Sequence, residues 1–150
     1  MRTLINVSAS ALILGSCLVA LPATAADVFL DAGPSIKWVT ATHPNGNPEI
    51  PFKKGDVLIV RQADTGMMHG FKFTGPGAPT SMPLCGPAPP AGTVLCEESA
   101  YNRKFPALGT GANAKSEILR LRALEDLPAD MPFDCVQHGQ IMKGVLKKAP

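Results

Sequence analysis

Fourteen glycines and fifteen prolines punctuate the 150 residues, and this punctuation limits the fold more than any other feature. Glycine loses the most backbone freedom on ordering, and proline removes a donor and blocks the helix interior. Long helices are therefore disfavoured beyond the first 25 residues, and short strands joined by turns are favoured. The apolar runs agree. Val28–Leu30, Ile36–Thr40, Val57–Val60, His69–Phe73, Phe133–Cys135 and Lys143–Lys147 are short and rich in strand formers or alternate in polarity. Ser116–Leu127 reads two ways: Leu119, Leu121 and Ala123 alternate as in a strand, while Ile118, Leu121 and Leu124 fit a helix capped by Ser116. The β-like surroundings favour the strand. The expected fold class is all-β, a sandwich or barrel.

Composition removes several functions. Hydrophobic residues make up 45% and charged residues 17%, enough for a packed core, and the net charge of +2 lacks the basic excess of a nucleic-acid binder. Aromatics at 5% leave few base-stacking surfaces. Arg2 followed by the apolar Leu4–Leu21 and the small-residue pattern Ala23-Thr24-Ala25 reads as a secretory leader cleaved after Ala25. Residues 1–25 are then a signal peptide and 26–150 a single domain, exported to the periplasm or another extracytoplasmic space. Leu14-Gly15-Ser16-Cys17 offers a second reading, a lipobox that would anchor the chain through Cys17. No later segment is long enough to span a membrane.

The four cysteines are Cys17, Cys85, Cys96 and Cys135. Cys17 belongs to the leader, so an odd number remains in an oxidising compartment. Thr74–Gly111 is dense in glycine and proline and fits no regular period, which reads as an extended excursion with short elements at most. Cys85 and Cys96 lie inside it, and a disulfide between them would close a small loop, stabilising the fold by about 2–3 kcal/mol.

The remaining thiol stands in Asp134-Cys135-Val136-Gln137-His138-Gly139-Gln140-Ile141-Met142. A thiolate, an imidazole and a thioether are packed into one short segment. Two His, one Cys and a weak axial Met make the ligand set of one-electron copper sites. The missing imidazole has a candidate in His69, after the apolar Val57–Val60. The copper ligands expected are therefore His69, Cys135, His138 and Met142. Zinc sites more usually use all-strong ligands than include Met. His43 sits in a Pro/Asn/Gly turn and reads as a solvent-exposed loop residue. A Cys–His nucleophile pair lacks an apparent orienting acid, and the three histidines leave His43 alone beyond His69 and His138, too few for a second metal centre. No enzyme is expected.

These residues resemble the cupredoxins, the small type 1 blue copper proteins of the plastocyanin and azurin kind. The resemblance rests on Gly55-Asp56 before the apolar Val57–Val60, on His69, and on Cys135, His138 and Met142 followed by Lys143-Gly144-Val145. It covers Lys53–Phe73 and Met131–Lys147. It implies a Greek-key β-sandwich, one copper ion cycling between Cu(II) and Cu(I), and electron transport between redox partners such as a cytochrome, oxidase or reductase, by a chain expected to be a monomer. It also implies that His138 lies near the surface as the electron exit. Gly139, Ile141 and Met67 would then form the apolar patch for a transient partner. Met67 and Met68 also read as an auxiliary soft site for Cu(I), and with Met82 they support an alternative function in copper tolerance or delivery. The sequence departs from the family in four places. The Cys–His and His–Met spacings are unusual, Gly70 stands where Asn is common, Pro132 is expected to interrupt the strand before Cys135, and the 74–111 excursion exceeds the core fold.

Overall fold

The computed structural model describes residues 24–98, 104–105 and 115–150. The leader expected over 1–25, with Cys17, lies outside them save for its last two residues, as does much of the second half of the 74–111 excursion. The described residues form ten strands and no helix: β1 Asp27–Gly33, β2 Lys37–Val39, β3 Glu49–Phe52, β4 Val57–Gln62, β5 His69–Phe73, β6 Leu95–Glu97, β7 Lys104–Phe105, β8 Ser116–Ala123, β9 Met131–Cys135 and β10 Gly139–Lys148. Among the described residues, no helix is long and apolar enough to cross a membrane.

The strands make two five-stranded sheets, ordered β2-β1-β4-β8-β6 and β3-β10-β9-β5-β7. Both are mixed: β1 runs parallel to β4 and β3 parallel to β10, while the other pairs are antiparallel. The arrangement is that of a β-sandwich, and the sheets do not close into a barrel. Alternation sends Leu30, Ala32, Leu58, Val60, Leu119, Leu121 and Ala123 of the first sheet into the core, against Ile50, Phe52, Phe71, Phe133 and Leu146 of the second. Ser116–Ala123 is thus a strand, and its alternating half-buried and buried pattern is what a helix could not present.

Two short signals position the frame. Gly55, at φ +91°, turns the chain into β4. Asp56, buried behind it, accepts the Lys53 N–H at 3.0 Å and the Ala26 N–H at 2.9 Å, so one carboxylate closes the turn and ties the start of β1 to β4. Cys85 and Cys96 form the expected disulfide, with Cα atoms 5.2 Å apart. Around it, the Cys85 N–H donates to the Glu97 carbonyl and the Glu97 N–H to the Pro83 carbonyl, each at 2.9 Å. The excursion is thereby tied along β6 at the sheet edge.

Pro132 does not interrupt its strand; it lies within β9, opposite Val145. N–H and C=O of one residue point to the same side of a strand. The Pro132 carbonyl accepts from Thr74, one residue beyond the end of β5. The missing donor of Pro132 therefore falls at the last rung, opposite Thr74, where its absence removes one terminal ladder bond and leaves the rest of the pairing intact. β3 was not foreseen. Pro51 is tolerated there because β3 is an edge strand with β10 as its one neighbour in the sheet.

Gly144 faces Phe133 across the β9–β10 ladder. A Cβ at Gly144 would stand 2.4 Å from Phe133 Cζ and 3.0 Å from Pro48 Cγ. Phe133 is enclosed by Trp38 and Phe71, with ring centroids 6.2 and 5.2 Å away, so it has no room to retreat. Gly144→Ala is expected to destabilise the fold by about 1–3 kcal/mol, read as a lowered urea midpoint with an unchanged slope.

Candidate metal centre

The centre is built where β5 and β9 lie side by side. Phe71 pairs with Cys135 and Phe73 with Phe133. His69 lies two residues from Phe71, so it projects on the same core face as Cys135, one diagonal step away. Both are completely buried. After Cys135 the chain reverses through Val136-Gln137-His138 and resumes as β10 at Gly139, which pairs back to Cys135. Gly139 has φ +53°. This is the left-handed residue that closes a three-residue hairpin. The tight reversal brings His138 back over the thiol it follows by three residues.

Three donor atoms converge. The Nδ1 of His138 lies 3.4 Å from Cys135 Sγ and the Nδ1 of His69 lies 3.8 Å from it. The ligating atoms of His69, Cys135 and His138 all lie within 4.8 Å of one another. A metal about 2.3 Å from sulfur and about 2.0 Å from each imidazole nitrogen, with angles of about 120°, separates sulfur and nitrogen by about 3.7 Å. The observed separations bracket that value, so the donor set fits a metal ion. The same distances serve a thiolate–imidazolium pair in the metal-free chain.

Met142 is buried in the core cluster that holds Cys135 and Phe71, within the bulge of β10 between Gly139 and Lys143. Its neighbour Ile141 is 76% exposed, and Met67 and Met68 are 37% and 49% exposed. His138 and Gly139 are half-buried, whereas His69 is closed off. His43 lies apart in its turn, with its Nδ1 3.0 Å from the Thr42 hydroxyl.

Two supporting residues, Asp64 and Gln140, are absent from the sequence-based expectations. Asp64, buried, places Oδ2 3.3 Å from His69 Nε2, while its Oδ1 accepts the Gly66 and Met67 N–H groups at 2.7 and 3.2 Å. The spacing Asp64-Thr65-Gly66 is that of an Asx turn, and this was the available clue. Gln140 donates to Asp134 Oδ2 at 3.1 Å, bracing the hairpin across its bulge.

Electrostatics follow from the enclosure. Burial pushes the Cys135 thiol up, but hydrogen bonds from His69 and from the backbone at Gln137, Gly70 and His138 outweigh it and bring it from 9.0 to about 6. Burial pushes His69 down, and its hydrogen bonds to Cys135 and Asp64 together raise it above its ordinary 6.5. Burial pushes the Asp64 carboxyl up, and the Gly66 N–H, His69 and the Met67 N–H leave it below its ordinary 3.8. A thiol held near 6 is already a thiolate at neutral pH, the form that binds metal. The lowered thiol contributes fully above its unfolded value of 9.0 and loses its contribution as the pH falls through about 6. The ultraviolet thiolate absorption of the metal-free protein is expected to titrate with a midpoint about 6, and a midpoint near 9 would contradict the hydrogen-bonded thiolate.

Compared with known proteins, the chain matches no family model, no curated protein and no solved structure.

Proposed function

We propose that the protein is an extracytoplasmic, cupredoxin-like carrier of single electrons, with one copper ion held by His69, Cys135, His138 and Met142. The observation that carries this reading is the convergence of two imidazole nitrogens on one buried cysteine sulfur at metal-ligand separations. Copper is favoured over zinc because the third strong donor is a soft thiolate and the loop adds a buried thioether, the set suited to a metal that changes charge by one. Copper bound there would supply a centre that accepts and releases one electron.

The chain's own residues do the rest. Cys135 contributes the most covalent donor. His69 and His138 would supply the two imidazole donors, and Met142 would add a weaker thioether donor. The ligands hang from β5, β9, β10 and the hairpin between β9 and β10, with Cys135 and Met142 in the core cluster of Phe71 and Phe133, a frame that would hold the donors in place in both oxidation states. His138, half-buried, lies nearer the surface than His69 and is the exit for the electron. The exposed Met67, Met68 and Ile141 suit a brief apolar contact with a redox partner. A Greek-key path between the two sheets belongs to the same proposal.

The two exposed methionines beside His69 also favour a second reading, copper binding for tolerance or delivery. Stoichiometry under reduction separates the two. One copper per chain that cycles reversibly and resists a chelator is the result expected of a carrier. Uptake of more than one Cu(I), or ready transfer to the chelator, would replace it with copper handling.

A further inference from the structure

The two histidines of the centre are held differently. Nε2 of His69 meets the Asp64 carboxylate at 3.3 Å. His138 has no carboxylate partner among the described residues. Asp64 is itself fixed on all sides. One oxygen takes the N–H groups of Gly66 and Met67, and the Asp64 N–H donates to Gln62 Oε1 at 3.3 Å. Gln62 Nε2 in turn donates to the Met67 carbonyl at 3.1 Å. The second oxygen is thus aimed at His69 by a closed set of bonds.

An imidazole offers its lone pair from one nitrogen when the other carries the hydrogen, and a carboxylate acceptor decides which. We propose that Asp64 is a positioning residue for the metal centre: it holds the hydrogen on His69 Nε2, so that Nδ1, which faces Cys135, is the nitrogen that gives up its hydrogen when metal binds, and through its negative charge it favours Cu(II) over Cu(I). This rests on the copper reading above. A carboxylate behind a metal-bound imidazole increases the ligand's donor strength, and its loss ordinarily weakens metal binding about 10–100-fold. The charge acts through a buried, weakly screened contact, so it bears more on the doubly charged ion than on the singly charged one.

Asp64→Asn tests this. The amide oxygen can still accept from the Gly66 and Met67 N–H groups, which keeps the turn. Its amino group then faces His69 and cannot accept from Nε2. Asp64→Ser, whose hydroxyl also accepts turn N–H groups, serves where the Asn variant does not fold; thermal unfolding of the metal-free proteins is the check. Copper-loaded wild type and variant are compared by voltammetry, by competition with a chelator for Cu(II) and Cu(I), and by the proton resonance of His69 Nε2–H in the Cu(I) form. The expected result is a loss of Cu(II) affinity about tenfold larger than the loss for Cu(I), which is a rise in potential of about 59 mV for one electron, together with faster exchange of the Nε2 hydrogen. A variant with the wild-type potential and the wild-type Nε2–H resonance overturns the assignment and leaves Asp64 as a turn residue only. If wild type itself takes up no copper, the underlying reading fails first and the assignment falls with it.

Discussion

Replacing Cys135 with serine is expected to weaken metal binding by two to three decades. Binding of about 10–16 kcal/mol shared by the four proposed ligands assigns about 2.5–4 kcal/mol to each, which is about two to three powers of ten. The loss should fall at the upper end, because the thiolate is the one anionic donor in the set and is already ionised near pH 6. A hydroxyl at that position is neither charged nor soft. His69 and His138 would remain close, with ring centroids 5.1 Å apart, and would form a weak two-imidazole site. Competition titration against a chelator of known affinity measures the change. Wild-type affinity in Cys135→Ser would remove Cys135 from the centre and return it to the role of a buried core thiol.

Phe133→Ala is expected to carry the largest cost to the fold, about 3–5 kcal/mol. Phe133 is 1% exposed and stacks among Trp38 and Phe71, while Phe71 packs edge-on against Phe73 at 5.0 Å. The ring also fills the space that Gly144 leaves open. Phe133 stands two residues before Cys135 on the same face of β9, so its loss should loosen the thiol's support as well as the core. The denaturant midpoint measures the first effect. The second is read as weaker metal binding in the folded variant. A cost below about 1 kcal/mol would mean that the core collapses around the vacancy and that β9 does not depend on this aromatic cluster.

The strands that position the centre were legible because their signals are local. His69-Gly70-Phe71-Lys72-Phe73 alternates, and alternation puts His69 and Phe71 on the core face whatever the rest of the chain does. The Cys135-to-Met142 segment carries its donors so close together that a single hairpin brings Cys135 and His138 into contact. The pairing of Cys85 with Cys96 followed from their place in one proline-rich loop. What was not legible depended on distant partners. β3 forms because β10 offers a free edge to Glu49–Phe52, and nothing in those four residues announces that edge. Pro132 reads as a strand breaker until the end of β5 is known. Asp64 is not marked as a site residue by its sequence neighbours, and its bond to His69 exists because the turn at Gly66 folds the chain back by five positions. The asymmetry between a buried, carboxylate-anchored His69 and a half-buried His138 is likewise a property of the assembled sheets.

The proposed copper centre would hold its metal through the Cys135 thiolate, with His69 and His138 as its imidazole donors. The direct measurement is the visible spectrum of the protein loaded with one equivalent of Cu(II). An intense thiolate-to-copper charge-transfer band, absent in Cys135→Ser and bleached on one-electron reduction, is the predicted result. A colourless protein that instead retains one equivalent of zinc would contradict it.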